Sequence, residues 1–244
     1  MAKIDTPPKF LDAGEAALVV EFGREVDPAV HARVLALDAA LRALDLAGIV
    51  ECVPTYRSLM VHYEPLLLPR ADLVARVRAI ESAVHATPQS NALWVLPVCY
   101  DGECGEDVGV IADAAGLTSD QVIALHSGAT YRVYMYGFAP GYCYLGGLPK
   151  ELAISRRATP RPPIPPNTIL VAGGLSLVAT NPMPTGWYLI GRTPERMMAL
   201  RREPAFLAEP GDLLRFERVD RATFDALDAR AAAGDLVSRK EAAP

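Results

Sequence analysis

The stretch that decides the fold is Tyr131-Arg132-Val133-Tyr134-Met135-Tyr136-Gly137-Phe138-Ala139-Pro140-Gly141-Tyr142-Cys143-Tyr144-Leu145-Gly146-Gly147-Leu148-Pro149. Its first six residues, aromatic and β-branched, read as a strand. From Gly137 to Pro149, four glycines and two prolines alternate with three aromatics, a composition that fixes an unusual backbone path with little side-chain bulk. Two readings fit it. It is a tight corner of a β-barrel with its aromatics in the core, or a loop whose glycines bring backbone N–H groups close to a ligand.

Downstream the same character continues. Ile169–Ala172, Leu175–Ala179, Trp187–Ile190 and Leu213–Phe216 are short β runs separated by Pro and Gly, which predicts a closed or sandwiched β structure rather than a parallel sheet. Between them lies Arg156-Arg157-Ala158-Thr159-Pro160-Arg161-Pro162-Pro163-Ile164-Pro165-Pro166-Asn167. Proline stiffening lowers the entropy lost on binding, and guanidinium forks suit carboxylate or phosphate; a solvated basic loop is the alternative. A third segment, Gly186-Trp187-Tyr188-Leu189-Ile190-Gly191-Arg192-Thr193-Pro194, delivers Arg192 and Thr193 at the end of a strand. There they either face a cleft or pair with surface groups. Arg221 to Lys240 is alanine- and charge-rich and reads as a helix around Phe224 and Leu227 that frays.

Upstream, strands and helices alternate. Leu18–Gly23 is β-rich, and Asp27-Pro28 opens a helix with Asp27 as N-cap and an apolar stripe of Val30, Val34, Leu37, Leu41 and Leu44. Gly48 is expected to end it. Ile49–Val53 and Ser58–Tyr63 read as strands, and Leu73, Val77, Ile80 and Val84 mark a second helix. Turn formers at 87–91 predict a linker. Beyond it come a strand, Leu93–Tyr100, interrupted by Pro97, and two short helices, the second opened by a capping box of Thr118 and Gln121.

Composition excludes several classes. A formal net charge of −5 gives no overall field for nucleic acid or an anionic membrane. Four cysteines are too few and too scattered for a disulfide scaffold, and Cys99 and Cys104 lack a histidine at zinc-site spacing, so no metal site is expected. The N-terminus lacks the apolar core of a signal peptide and no apolar run approaches a membrane span; the expectation is a cytoplasmic protein with no membrane partner. No Ser-His-Asp order, nucleophile elbow or P-loop is present. A self-sufficient hydrolase or ATPase of this length would show one. Of the histidines, His31, His62 and His85 sit in ordinary element positions, while His126 lies just before the β region without a visible catalytic partner.

At its three Gly/Pro/Arg segments the chain resembles the family of the small subunit of bacterial 5-oxoprolinase, also labelled allophanate hydrolase subunit 1 and related to the KipI-type kinase inhibitors. Gly137, Phe138, Pro140, Gly141, Tyr144, Leu145, Gly147, Leu148 and Pro149 carry the first motif. Arg156, Arg157, Pro160 and Arg161 carry the second, and Gly186, Trp187, Ile190, Gly191, Arg192, Thr193 and Pro194 the third; His126, Tyr131 and Val133 match an upstream element. The chain departs from the family at Gly173–Thr180 and Met183–Thr185, where polar wall residues have become apolar or small, and at Ile164-Pro165-Pro166-Asn167, where asparagine replaces a glycine that takes a left-handed turn.

The resemblance implies an α+β N-terminal domain (1–88), a cyclophilin-like β-barrel domain (89–230) and a frayed tail (231–244). It implies catalytic roles for His126 and Arg192, and substrate contacts from Gly137, Phe138, Pro140, Gly141, Tyr144, Arg157, Arg161 and Thr193. It further implies an ATP-dependent hydrolase of cyclic amides or ureido acids, with ATP and Mg held by the complex. The partners would be a larger carboxyltransferase-domain subunit (PxpC-like) and a third, PxpA-like subunit. A KipI-like regulator of a sensor histidine kinase and a urea-carboxylase-like carboxyltransferase subunit are the alternative readings.

Overall fold

A computed structural model describes residues 7–83 and 92–242. The chain divides into two units, Met1–Gln89 and Ser90–Pro244. The linker expected at 87–91, with Val84 and His85, lies outside the described residues.

In the first unit, β1 (Lys9–Asp12), β2 (Ala17–Glu21), β3 (Ile49–Pro54) and β4 (Ser58–Tyr63) form an antiparallel sheet in the order β1-β2-β4-β3. Helices α1 (Pro28–Leu44) and α2 (Arg70–Ala83) bury their apolar stripes against it. Asp27 starts α1 by accepting hydrogen bonds from Ala29 N at 2.7 Å and Val30 N at 3.2 Å, satisfying orphan donors of the first turn. The helix stops at Asp45, in the left-handed region with φ 43°, before it reaches Gly48. Leu18, Val20, Leu59 and Val61 from the strands meet Val34, Leu37 and Leu41 of α1 and Leu73 and Val77 of α2.

The second unit starts with β5 (Leu93–Cys99), a 3-10 turn at Gly102–Gly105, α3 (Val108–Ala115) and α4 (Ser119–Gly128). Thr118 and Gln121 form the capping box reciprocally. Strands β6 (Thr130–Tyr136), β7 (Cys143–Gly146), β8 (Thr168–Ala172), β9 (Leu175–Ala179), β10 (Tyr188–Arg192) and β11 (Leu213–Val219) follow, then α5 (Arg221–Ala232) and β12 (Arg239–Glu241). The sheet runs β10-β8-β9-β7-β6-β11-β5-β12, and β10 pairs back to β5 to close seven strands into a barrel. Closure rests on one register pair, Arg192 with Cys99, while β12 occupies the same edge of β5 at residues 93–95. Pro97 falls in the gap between those two pairings, so β5 is continuous where the sequence suggested an interruption.

Strand periodicity sorts the side chains of β7 to β10 onto two faces. Cys143, Leu145, Ile169, Val171, Val178 and Ile190 enter the main core, with Ile111 of α3 and Val122 of α4. Their neighbours Tyr142, Tyr144, Leu170, Leu177, Ala179 and Leu189 belong to a second cluster on the opposite face. Both faces of β8 are fully buried, which a half-solvated barrel strand would not require. Strand β7 was hidden inside a motif whose glycines and prolines read as loop.

Residues 231–244, expected to fray, are instead held in place through residue 242, the last one described. Glu195 is fully buried; its Oε2 accepts hydrogen bonds from Val237 N at 2.9 Å and Ser238 N at 2.8 Å. Its Oε1 accepts from Arg196 N at 2.8 Å and Arg202 Nη1 at 3.3 Å. This carboxylate delivers the chain to β12, a long-range tie invisible to local propensity. Glu195→Ala leaves the Val237 and Ser238 amides without their acceptor and removes the ion pair of Arg202, so it should lower stability by about 3 kcal/mol in urea titration. Hydrogen exchange at Val237 and Ser238 should then lose its protection, with Glu195→Gln recovering part of it.

Candidate functional site

Asp107, just ahead of α3 and almost wholly buried, organises the three segments. Its Oδ1 accepts from Arg157 Nη1 at 3.0 Å, and its Oδ2 from Arg161 Nη1 and the Leu189 amide, both at 2.8 Å. Its own N–H donates to Leu189 O at 3.1 Å. A buried carboxylate is stable only when its lone pairs are filled, and here two guanidinia and an amide fill them. Arg161 also pairs with Glu106, and Arg157 lies over the Tyr188 ring at 5.3 Å. Burial works against the charged form of Arg161, yet its hydrogen bond to Glu106 and the charge of Asp107 outweigh it and raise the pKa. Both arginines are locked ions with their charge matched inside the protein.

The same tie lays the Arg/Pro segment beside the approach to β10. Arg157 N donates to Gly186 O at 2.8 Å, Arg161 N to Thr185 O at 2.8 Å and Ile164 N to Met183 O at 3.2 Å. Arg156 is thereby set against Gly186, where a Cβ would stand 3.3 Å from its guanidinium. Unlike its neighbour, Arg156 has no ion-pair or hydrogen-bond partner among the described residues. It is exposed, at the edge of a cavity of about 440 Å³ on the outer face of β7 to β10. Tyr142, Tyr144, Leu170, Leu177 and Trp187 form the walls, with Phe138, Pro160 and Thr185 at the sides. Tyr144 and Trp187 meet edge to face, their centroids 6.4 Å apart. Burial raises the Tyr144 phenol pKa while the Arg156 charge pulls against it, so the cation is felt inside the cavity. Among the described residues, no acidic side chain lines it. The arrangement sets one exposed guanidinium beside aromatic walls, a chemistry suited to a single negative charge.

The residues expected at the site divide. Phe138 and Tyr144 line the cavity. Phe138 is 74% exposed and held at φ 69°, strained backbone for a bulky side chain, with its ring edge-on to Tyr142. Gly137, Pro140 and Gly141 shape the loop without lining the cavity. Gly137 N donates to Tyr142 O, and Pro140 O accepts from Thr180 Oγ1 at 2.6 Å; the amides of Ala139 and Tyr142 are also bonded within the loop. The expectation of free backbone donors is therefore corrected for these groups. Gly141 has φ 77°, and a Cβ there would meet Met198 at 2.8 Å.

Arg157 and Arg161 come together, but on Asp107 and not on an open hollow. Arg192 does not join them. It carries the barrel closure, its guanidinium lies over Phe224 at 5.3 Å, and its Nη2 reaches Pro166 O at 3.5 Å. Thr193 is fully buried and accepts from Glu195 N at 3.1 Å, a turn contact. His126 is fully buried, stacked on Phe216 at 4.9 Å, and its Nδ1 is 2.8 Å from Tyr100 Oη. Burial pushes its pKa down to about 3, so it is a neutral core histidine with no route to a substrate. Asn167 takes the left-handed turn at φ 58°, as its substitution for glycine required. Sequence reasoning missed Asp107, Arg156 and Trp187 as site residues; the last two stood in the quoted motifs, whereas Asp107 carried no local signal.

Residues 8–208 match the family model described as carboxyltransferase domain, subdomain C and D. The chain belongs to this family. It is 32% identical over 227 residues to a 5-oxoprolinase subunit of Bacillus subtilis (strain 168), covering 87% of this chain and 93% of that protein. It is 34% identical over 206 residues to the corresponding 5-oxoprolinase subunit of Escherichia coli O157:H7, covering 83% and 92%. The crystal structure of TTHA0988 superposes with a TM-score of 0.74 at 32% identity over 83% of this chain, which spans 40% of that longer one. Within the family frame, the cavity draws on the first two motifs and on the start of the third, at Gly186 and Trp187, while Arg192 and Thr193 at the end of the third serve closure and a turn.

His126 also sets a pH dependence. Its pKa is depressed on folding, from 6.5 to about 3, so the unfolded chain takes up the proton first as pH falls. Stability from this group is complete above about 6.5 and declines between there and about 3. Replacing it in His126→Phe, which keeps the stack on Phe216, should flatten the acid limb of Tm measured from pH 7 to 4.

Proposed function

We propose that this chain is one subunit of an ATP-dependent hydrolase that opens cyclic amides, of the 5-oxoprolinase kind, and that its cavity holds the carboxylate-bearing ring. In this reading the protein is cytoplasmic and works with a larger, PxpC-like carboxyltransferase-domain subunit and a PxpA-like third subunit, and its barrel is cyclophilin-like. The names of the relatives support it, at 32% and 34% identity over most of both chains. Support for a partner comes from TTHA0988, where more than half of the polypeptide lies outside the matched region.

The observation that carries the reading is the unpaired guanidinium of Arg156 beside Tyr144 and Trp187. A fork of N–H donors matches one carboxylate, and the flat aromatic walls match a small ring. Holding that ring fixes the amide relative to whatever attacks it, which is the positioning part of catalysis. A triphosphate with Mg does not fit this cavity. One free guanidinium falls short of the donors a polyphosphate needs, and no carboxylate among the described residues lines the cavity to share Mg with the phosphates. ATP and Mg are accordingly assigned to the other subunits.

The test is co-expression with the larger subunit and assay of ATP-dependent ring opening on carboxylated lactams. Arg156→Gln should cut kcat/KM about 10- to 100-fold, the loss of one charge-assisted hydrogen bond, with Tm unchanged. Arg157→Gln should do the reverse, lowering Tm because it uncovers Asp107. An intact complex in which Arg156→Gln turns over normally would overturn the reading.

A further inference from the structure

A second cavity, of about 520 Å³, is lined by Trp94 of β5, the loop that follows β10 and the approach to β12. Its apolar walls are Trp94, Phe206, Leu207 and Leu236, of which Phe206 is 40% and Leu236 48% exposed. Three carboxylates line it: Glu203, Glu209 and Asp212. Neither glutamate side chain has a partner among the described residues. Asp212 is only 4% exposed. Its Oδ2 accepts from Trp94 Nε1 at 3.2 Å and Glu209 N at 3.0 Å, while its Oδ1 accepts nothing. Two cations line the cavity against these charges. Arg202 is bonded to Glu195 and three backbone carbonyls through its terminal nitrogens, its Nε buried without a partner, and Lys240 places its ammonium 5.3 Å from the Trp94 ring centre.

We propose that this cavity is a binding site for a small organic ammonium ion with an apolar body. Asp212 Oδ1 is closed to solvent and without a donor, so its charge is left uncompensated; an ammonium in the cavity supplies that positive charge at short range and donates its own hydrogen bonds to Glu203 and Glu209. The aromatic and leucine walls take the hydrocarbon part, as in most small-molecule sites, where few polar groups are set among apolar ones. Lys240 shows that the Trp94 face accepts an ammonium, and it competes for that face with the incoming ion. The preference is opposite in charge to that of the Arg156 cavity, so the two sites select different molecules and stand or fall separately.

The reporter is built in. The chain has two tryptophans, Trp94 and Trp187, and the indole N–H of Trp94 is the group bonded to Asp212. The full-length, 15N-labelled protein is titrated at pH 7 with cyclohexylmethylamine and, separately, with the uncharged cyclohexylmethanol; Trp187→Phe assigns the two indole resonances. The amine should give a saturable shift of the Trp94 resonance with a Kd about tenfold lower than the alcohol, the effect of one charge-assisted contact. Because Asp212 also holds Trp94 in place, the charge is tested at the rim. Glu203→Gln with Glu209→Gln should weaken amine binding about threefold and leave the alcohol unaffected. Lys240→Met should tighten amine binding about threefold by removing the competitor. Equal binding of amine and alcohol, no saturable shift with the amine, or weaker amine binding in Lys240→Met would each overturn the assignment.

Discussion

One buried carboxylate holds the second unit's working face together. Asp107 binds two guanidinia from the Arg/Pro segment and the Leu189 amide of β10, joining stretches of chain fifty and more residues apart. Neither side could be buried without the other, since an unpaired ion at this depth would be strongly destabilising. The consequence is a division of labour among adjacent arginines. Arg157 and Arg161 become structural because their charge is matched, and Arg156, one residue away, is left as the cation the cavity can offer.

The cavity exists because a closed barrel here carries two apolar faces. Alternate residues of β7 to β10 serve the main core and a second cluster, so the outward side of the sheet is not simply solvated. Tyr142, Tyr144 and Trp187 cover that side only partly, and the strained Phe138 stands at the opening. The motif loop uses the amides of Gly137, Ala139 and Tyr142 within itself, and its side chains line the cavity. Seven strands close through one register pair at Cys99, and β12 pairs with residues 93–95 on the same edge of β5. Glu195 anchors the C-terminal segment that supplies β12.

Much of the fold was legible. The strands of the barrel from 130 onward other than β7, the α1 start at Asp27 and the capping box at Thr118 all follow from local patterns, and the structure has them within a few residues. The site was legible at the level of segments and not of residues. A row of three arginines gives no sign of which two will meet a carboxylate near residue 107. His126 likewise carries no mark of the cage of Tyr100, Tyr131 and Phe216 that makes it a core residue.

What the sequence determined by itself was the succession of elements and the composition of the cavity wall, because propensity, capping and turn chemistry act over a few residues. Charge state, exposure and partnership were decided by the tertiary structure. Those properties are set by whatever the fold brings within a hydrogen bond's reach, and in this protein the decisive partners, Asp107 and Glu195, lie some forty to eighty residues from the groups they fix.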